Sequence, residues 1–267
     1  MIEVTDAMGR SVRLSRAARR VVSLVPSITE TLFALGRGSE VVGCTSWCLH
    51  PAEGVRGVVK IGGTKDPHVQ TILTMKPDLV FANKEENRKE DVEALAGSLA
   101  VHVSYPRDLE SVLKDLVDIG TLVGAEPKAE ALVATILAER RRFRSLVRPA
   151  PRVAYLIWRK PWMVAAGDTF IDAMIAEAGL CNALRELPGR YPEIDLQSLA
   201  KHRVDAVFLS SEPFPFEESH RIEVAAATGL PISKVVLVSG EAFSWFGTRT
   251  ATVFEEAERI HALLPKD

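Results

Sequence analysis

The sequence predicts an α/β protein: two Rossmann-like lobes, each built on a parallel sheet, joined by one long α-helix, with a ligand cleft between the lobes. Three observations predict it. Runs rich in β-branched residues, RVVSLVP, DLVFAN and VAYLIW, alternate with stretches of helical apolar spacing, the rhythm of strand–helix–strand units. VQTILTMKPDLVFAN (69–83) and LQSLAKHRVDAVFLS (196–210) share their apolar places, a lysine, an aspartate and a strand ending in Val-Phe, so the chain holds two similar halves. Between them, 127–146 contains no breaker after Pro127 and sets Ala129, Leu132, Val133, Ile136 and Leu137 at helical spacing. The expected division is an N-terminal lobe over 1–124, a linking helix over 125–150 and a C-terminal lobe over 151–267.

The elements follow in order. IEVTDAMGRSVRLS reads as a hairpin turning at Met8–Gly9, and RVVSLVP as a buried strand. SITETLFALG is a helix with Ser27 and Glu30 as a capping box and Gly36 as its stop. Glu40–Thr45 is the second strand, which leaves SWCLHP in the loop past a strand's C-terminal end, where parallel α/β sheets bind ligands. Asp66 is expected to cap the next helix, with Pro67 in its first position and Pro77 ending it before the strand Leu79–Asn83. KEENRKEDVEALAG, VHVSY and DLESVLKDLVDIGTLVG complete the lobe as helix, strand and helix. The basic run ERRRFRSLVR closes the linking helix, where solvated cations complement the helix dipole. PAPR breaks the chain, and VAYLIW opens the second lobe.

Composition narrows the function. With 267 residues, 47% hydrophobic and 25% charged, the chain can bury a sizeable core. A formal net charge of -2 gives no electrostatic reason to bind nucleic acid or anionic lipid. No apolar run reaches the roughly 18 residues of a membrane helix, so no membrane insertion is expected, and Met1–Arg20 lacks a signal-peptide pattern. Three cysteines, Cys44, Cys48 and Cys181, lack the spacing of a disulfide scaffold. A cytoplasmic location is expected from the sequence as it stands, and a periplasmic or extracytoplasmic one if a leader has been trimmed. Phosphate-loop, GxGxxG, GxSxG and HExxH signatures are missing, so no enzyme is expected and no catalytic residue or catalytic cofactor is assigned.

The residues that remain describe a binding surface. Trp47, Trp158, Trp162 and Trp245 all fall in loops or at strand ends, where four rings together suit ligand stacking, although any one alone reads as core. Ser27, Thr64, Lys65, Glu85, Glu86, Asn87 and Arg249 add polar groups to the same expected cleft, with Asp168 and Thr169 at a helix start. For Ser27, Asp66 and Thr169 the plainer reading is helix capping. Cys44 reads as core. Cys48 and His50 are a lesser alternative as a direct metal site, since no spacing supplies the further ligands. His102 reads as structural, and His202, His220 and His261 as surface residues.

RVVSLVPSITETLFALG, EVVGCTSWCLHP, IGGTKDPHVQTILTMKPDLVFAN, AGDTFIDAMIAEAGLCNAL, YPEIDLQSLAKHRVDAVFLSS and FSWFGTR together resemble the substrate-binding proteins of ABC importers for cobalamin and iron-siderophores, closest to the cobalamin-binding branch. The resemblance spans nearly the whole chain. It implies a non-catalytic, monomeric receptor for cobalamin or a related corrinoid, delivered to an ABC permease. It places family aromatic contacts at Trp47, Tyr191 and Trp245 with Arg249, and finds Thr64 and Lys65 where a further ring is expected. It also puts Gln70 and Gln197 where such receptors carry the acidic residues that dock on a permease, with Glu193 or Asp195 as substitutes. The alternative is a siderophore, haem or metal-chelate receptor using Lys65, Arg159 and Arg249 for ligand anions, or a cytoplasmic binder uncoupled from transport. An enzymatic reading with Glu85, Glu86 and His50 as acid and base lacks a nucleophile.

Overall fold

The computed structural model describes residues 1–146 and 150–264. The chain divides into two compact units: Met1–Pro106 with Glu110–Ala134 and Phe246–Thr248, and Arg107–Leu109 with Thr135–Trp245 and Arg249–Asp267.

The first unit opens with the hairpin β1 (Ile2–Thr5) and β2 (Ser11–Leu14), a sheet of its own, turned by Asp6, whose carboxylate accepts from the Met8 and Arg10 amides. Then come β3 (Val21–Ser23), α1 (Pro26–Ala34), β4 (Val41–Cys44), the short α2 (Ala52–Val55), β5 (Val59–Lys60), α3 (Val69–Met75), β6 (Leu79–Asn83), α4 (Lys89–Ala96), β7 (Val101–Ser104) and α5 (Leu109–Val123). Their parallel sheet runs β5-β4-β3-β6-β7. Val22, Leu24, Ile28, Leu32, Ile72, Leu79 and Phe81 are fully buried around it, each Val, Leu or Ile side chain contributing about 1.5–3 kcal/mol. Chain order reverses between β3 and β6, the switch point at which an open α/β sheet leaves a crevice beyond its strand ends.

The helix α6 (Glu126–Arg144) begins in the first unit and ends in the second. Its arginines do more than lie solvated near the helix end. Arg140 makes a two-pronged ion pair with Glu177 at 2.8 and 2.6 Å, Arg144 joins the same carboxylate, and Arg142 pairs with Glu139 and Glu258. Val147 and Arg148 of the predicted basic run lie outside the described residues.

The second unit continues with β8 (Arg152–Trp158), β9 (Met163–Val164), α7 (Phe170–Glu177), β10 (Cys181–Asn182), a 3-10 helix (Leu196–His202), β11 (Ala206–Ser210), α8 (Glu218–Thr228), β12 (Val235–Val238), α9 (Gly240–Ser244) and α10 (Thr252–Leu263). Its sheet runs β10-β8-β11-β12 in parallel, with β9 antiparallel to β8, and its switch point lies between β8 and β11. β12 ends this order, and its carbonyls at Val235 and Leu237 accept from Arg221 and Arg259, which cap a strand edge otherwise open to another chain.

The internal match has a structural cause. In both halves the helix ends on a left-handed residue, Lys76 (φ 48) or Arg203 (φ 52), and the aspartate two positions on reaches back to the central strand. Asp78 accepts from the amides of Arg19 and Arg20 and donates its own amide to the Arg20 carbonyl, at 2.8, 3.0 and 2.7 Å. Asp205 does the same with Arg152, both bonds 2.7 Å. Arg20 then bonds the Met75 carbonyl and Arg152 the His202 carbonyl, at 2.8 and 3.3 Å.

Several local expectations are corrected. α1 has no side-chain cap: Val25 is its N-cap and Ser27 lies inside the first turn, so no capping box forms with Glu30. Proline at the first position takes over, since it lacks the amide hydrogen a cap would satisfy. Asp66 caps nothing and Pro67 does not start a helix. α3 begins two residues later with His68 as its N-cap, because Gly62 and Pro67 pair across a tight turn. Gly62 has φ 94, and a Cβ there would lie 2.5 Å from the Asp66 carbonyl oxygen, so only glycine fits. α4 starts at Lys89, with 84–87 held instead as a turn on Asn83. Thr169 caps α7 as expected, accepting from the Asp172 amide at 3.0 Å.

Candidate functional site

At the strand ends of the first unit, hydrogen bonds tie together Thr64, Lys65, Glu85, Glu86 and Asn87. Asn87 is buried and ties this edge together: its side-chain oxygen accepts from the Asn83 amide, and its nitrogen donates to the carbonyls of Leu24 and Thr64 at 3.3 and 2.9 Å. Asn87 therefore fixes the surface rather than presenting a free amide to it. Lys65 donates to the Glu85 carbonyl, and the amides of Glu85 and Glu86 donate to Asn83 Oδ1. Ser27, at the start of α1, is buried and its Oγ has no hydrogen-bond partner. A buried hydroxyl without a partner at a helix N-terminus can bond a ligand atom.

Trp47 is 64% exposed, an unusual state for a ring of that size. Its turn is built from beneath. The Cys48 amide donates to the Thr45 carbonyl at 3.1 Å, and the Ser46 amide to the Gly62 carbonyl at 2.8 Å. Cys48 is fully buried, with Thr29 Oγ1 and Thr45 Oγ1 at 3.1 and 3.2 Å from its sulfur. The neighbouring Cys44 thiol, against the opposing effect of burial and with help from Thr29 and Thr45, lowers the Cys48 thiol below its usual range. Its proximity to Cys48 and burial push the Cys44 thiol up, although Lys60 Nζ lies 3.3 Å from its sulfur. Cys44 is core, as expected. For the metal alternative, the described residues hold no group of three or more His, Cys, Asp or Glu side chains able to take an ion, so Cys48 and His50 gain no third ligand. Phe246–Thr248, which groups with the first unit, lies on α1: the Thr248 amide donates to Thr31 Oγ1, and a side chain on Gly247 (φ 82) would collide with that hydroxyl.

At the strand ends of the second unit the tryptophans part company. Trp158, 40% exposed at the end of β8, meets Phe214 edge to face at 5.8 Å. Trp162 is instead half-buried against the core, stacked on Phe216 at 6.1 Å and 5°, with the Arg159 guanidinium 5.8 Å from its ring centroid. Trp245 ends α9 with the Arg249 guanidinium 4.8 Å from its ring centroid, and Arg249 is ion-paired with Glu241. Tyr191 lies beside Arg190, on a segment whose Arg190 and Pro192 carbonyls accept from Ala166 and Val164.

Phe214, Phe216, Glu212 and His220 belong to this edge and were not anticipated. The alternating Pro-Phe-Pro-Phe of 213–216, just past a strand, was the available signal. His220, expected at the surface, packs edge-on against both phenylalanines, and its Nδ1 accepts from the Glu217 amide at 2.8 Å. That bond puts the neutral ring's proton on Nε2, which leaves no lone pair there for a metal. Burial raises the Glu212 carboxyl above its usual range, with Glu241 adding to the rise while bonds from Ser244 and Trp245 oppose it.

The sequence profile of the periplasmic binding protein family matches residues 21–227. The chain belongs to that family. Among curated relatives, an uncharacterized ABC transporter substrate-binding lipoprotein of Bacillus subtilis is 28% identical over 217 residues, 77% of this chain and 68% of its own length. The periplasmic vitamin B12-binding protein BtuF of Vibrio cholerae superposes with a TM-score of 0.80 at 18% identity, covering 94% of this chain and 99% of that one. The periplasmic heme-binding protein RhuT of Roseiflexus sp. RS-1, in apo form, gives 0.79 at 22%, covering 93% and 100%. These likenesses establish the fold and the periplasmic binding protein class. The expected cytoplasmic location finds no support in them, since the relatives are named as periplasmic proteins or as a lipoprotein. No helix among the described residues is long and apolar enough to cross a membrane.

Proposed function

We propose that the protein is the substrate-binding receptor of an ABC importer, located outside the cytoplasm, and that its ligand is cobalamin or a related corrinoid bound without chemical change. In this reading the chain comprises an N-terminal lobe (1–124), a connecting helix (125–150) and a C-terminal lobe (151–267), each lobe carrying a strand-end face of its own. One observation carries the reading: large rings stand exposed at the strand ends of both parallel sheets, Trp47 at 64% and Trp158 at 40%. Such rings suit a broad ligand with flat and apolar faces.

Charge favours a corrinoid over haem or an anionic chelate. The cations that the second reading needs are already engaged: Lys65 with the Glu85 carbonyl, Arg249 with Glu241 and Arg159 with Glu223. Glu85, Glu86 and Glu212 lie at the same edges, where they repel propionates and can accept from neutral amides. In this reading Ser27, Trp47, His50, Thr64, Lys65, Glu85, Glu86, Trp158, Tyr191, Trp245 and Arg249 face the ligand, while Asn87 and Trp162 hold the surface from behind. Permease docking falls to the exposed Gln70 and Gln197, with the exposed Glu193 as a substitute; Asp195 is used as a cap, accepting from the Gln197 amide.

Titration with cyanocobalamin, haemin and a ferric siderophore, following tryptophan fluorescence and melting temperature, tests the proposal. Quenching and stabilisation by the cobalamin at micromolar concentration are expected. Response to haemin or the siderophore alone would transfer the site to the second reading, and response to none would end both.

A further inference from the structure

We propose that Glu212 is the positioning residue for Trp245: it holds the short helix α9 at both ends and so sets where the ring stands against a ligand. This rests on Trp245 facing that ligand, and it names what keeps the ring in place.

α9 (Gly240–Ser244) has five residues, too few for its own hydrogen bonds to hold it in shape, and Trp245 is its C-cap. The place of the ring therefore depends on what α9 rests on. Glu212, two residues past the end of β11, meets that helix twice. At the start of α9 it packs against Gly240 so closely that a Cβ there would lie 2.4 Å from Glu212 Cγ, 2.9 Å from the Glu212 amide nitrogen and 2.6 Å from Ser210 Oγ. At the end of α9 the hydroxyl of Ser244, next to Trp245 in the chain, donates to Glu212 Oε1 at 2.5 Å. Ser244 Oγ also lies 2.9 Å from the Gly240 carbonyl, its own helix's acceptor, so its single proton is shared between α9 and a partner outside it.

The support is itself fixed. Ser210 Oγ donates to the Glu212 carbonyl at 2.6 Å, and the hydroxyl of fully buried Tyr155, on β8, donates to Ser210 Oγ at 3.1 Å. The Tyr155 ring meets Phe243 of α9 edge to face at 5.4 Å, and the Gly240 amide donates to Ser211 Oγ at 2.9 Å. By contrast, the Trp245 amide bonds the Glu241 carbonyl at 2.9 Å, and the Arg249 beside the ring is ion-paired with the Glu241 carboxylate. Those contacts stay within α9 and the turn after it. The bond from Ser244 to Glu212 crosses from that piece to the end of the central strand.

The test labels the full-length protein with 5-fluorotryptophan, so that each ring gives its own fluorine resonance, with Trp245→Phe assigning that of Trp245. In Glu212→Ala and in Ser244→Ala the Trp245 resonance should shift or broaden, while that of Trp47, in the other compact unit, keeps its place and shows the fold intact. Glu212→Gln, whose side-chain oxygen still accepts from Ser244, should restore the native signal. Titrated with cyanocobalamin, Glu212→Ala should lose about 5-fold or more in affinity with Trp245 present and less than about 2-fold in a Trp245→Ala background, since residues acting through one another are not additive. A Trp245 signal unmoved in both alanine variants, equal shifts in Glu212→Ala and Glu212→Gln, movement of all the resonances together, or equal losses of affinity with and without the ring would each overturn the proposal. Failure of the unaltered protein to bind cyanocobalamin would instead overturn the corrinoid reading, and the fluorine signals would then decide the positioning by themselves.

Discussion

Trp47 and Glu212 show two ways in which a single side chain is held in a costly state. Trp47 keeps most of an indole in water, so its removal loses little folding energy and much of any stacking surface. Trp47→Ala should change unfolding free energy by no more than about 0.5 kcal/mol, as measured by urea denaturation, yet weaken cobalamin binding roughly 10-fold or more in a fluorescence titration. Unchanged affinity would remove Trp47 from the site. For Glu212 the folded carboxyl binds its proton more tightly than the unfolded one, because burial penalises the charged form. Between the two pKa values the native state binds more protons, so this group's contribution to stability falls as pH rises through that window and stays low above it. Glu212→Gln should therefore raise the melting temperature at neutral pH, on the order of 1 °C, with the gain fading as pH drops below the carboxylate range. A gain that is equal at acidic and neutral pH would show that the charge is irrelevant.

The repeated clamp is a property of elements. A left-handed helix end turns the chain so sharply that the next strand starts beside the central one, and the aspartate at that corner satisfies amides that no ladder reaches. Asp78 serves two such amides and is half-buried, while Asp205 serves one and is exposed. Asp78→Ala should cost about 1–2 kcal/mol and Asp205→Ala about 0.5–1 kcal/mol, read from denaturant midpoints at unchanged slope. A reversed order would mean that side-chain burial does not set the cost. The repeat was legible as a spacing of Asp before Val-Phe, but its reason was not: the amides that Asp78 binds belong to Arg19 and Arg20, 59 and 58 residues earlier.

For the whole molecule, the central prediction concerns linkage. A ligand that binds only the native state at 100 times its dissociation constant adds about 2.7 kcal/mol, which for a chain of this size raises the melting temperature by roughly 5–10 °C. Cyanocobalamin should do this, and a thermal shift that does not grow with ligand concentration would contradict specific binding.

What the sequence determined by itself is what depends on local pattern. Apolar periodicity marked the strands β3, β6, β7, β8 and β11 and the helices α5 and α6 to within a few residues, and Gly36 and Pro77 marked true helix ends. Strand endings then told which loops carry exposed rings, Trp47 among them. What only the tertiary structure decided is who meets whom. Ser27 looked like a cap and is a buried hydroxyl without a partner among the described residues, and the Asn87 amide donates to the carbonyls of Leu24 and Thr64. Trp158 and Trp162 looked alike, but one stands exposed edge-on to Phe214 and the other is half-buried and stacked on Phe216. The physical reason is range. Periodicity is enforced by neighbours within a few residues, whereas burial and hydrogen-bond partners are set by strands and loops brought together from distant parts of the chain.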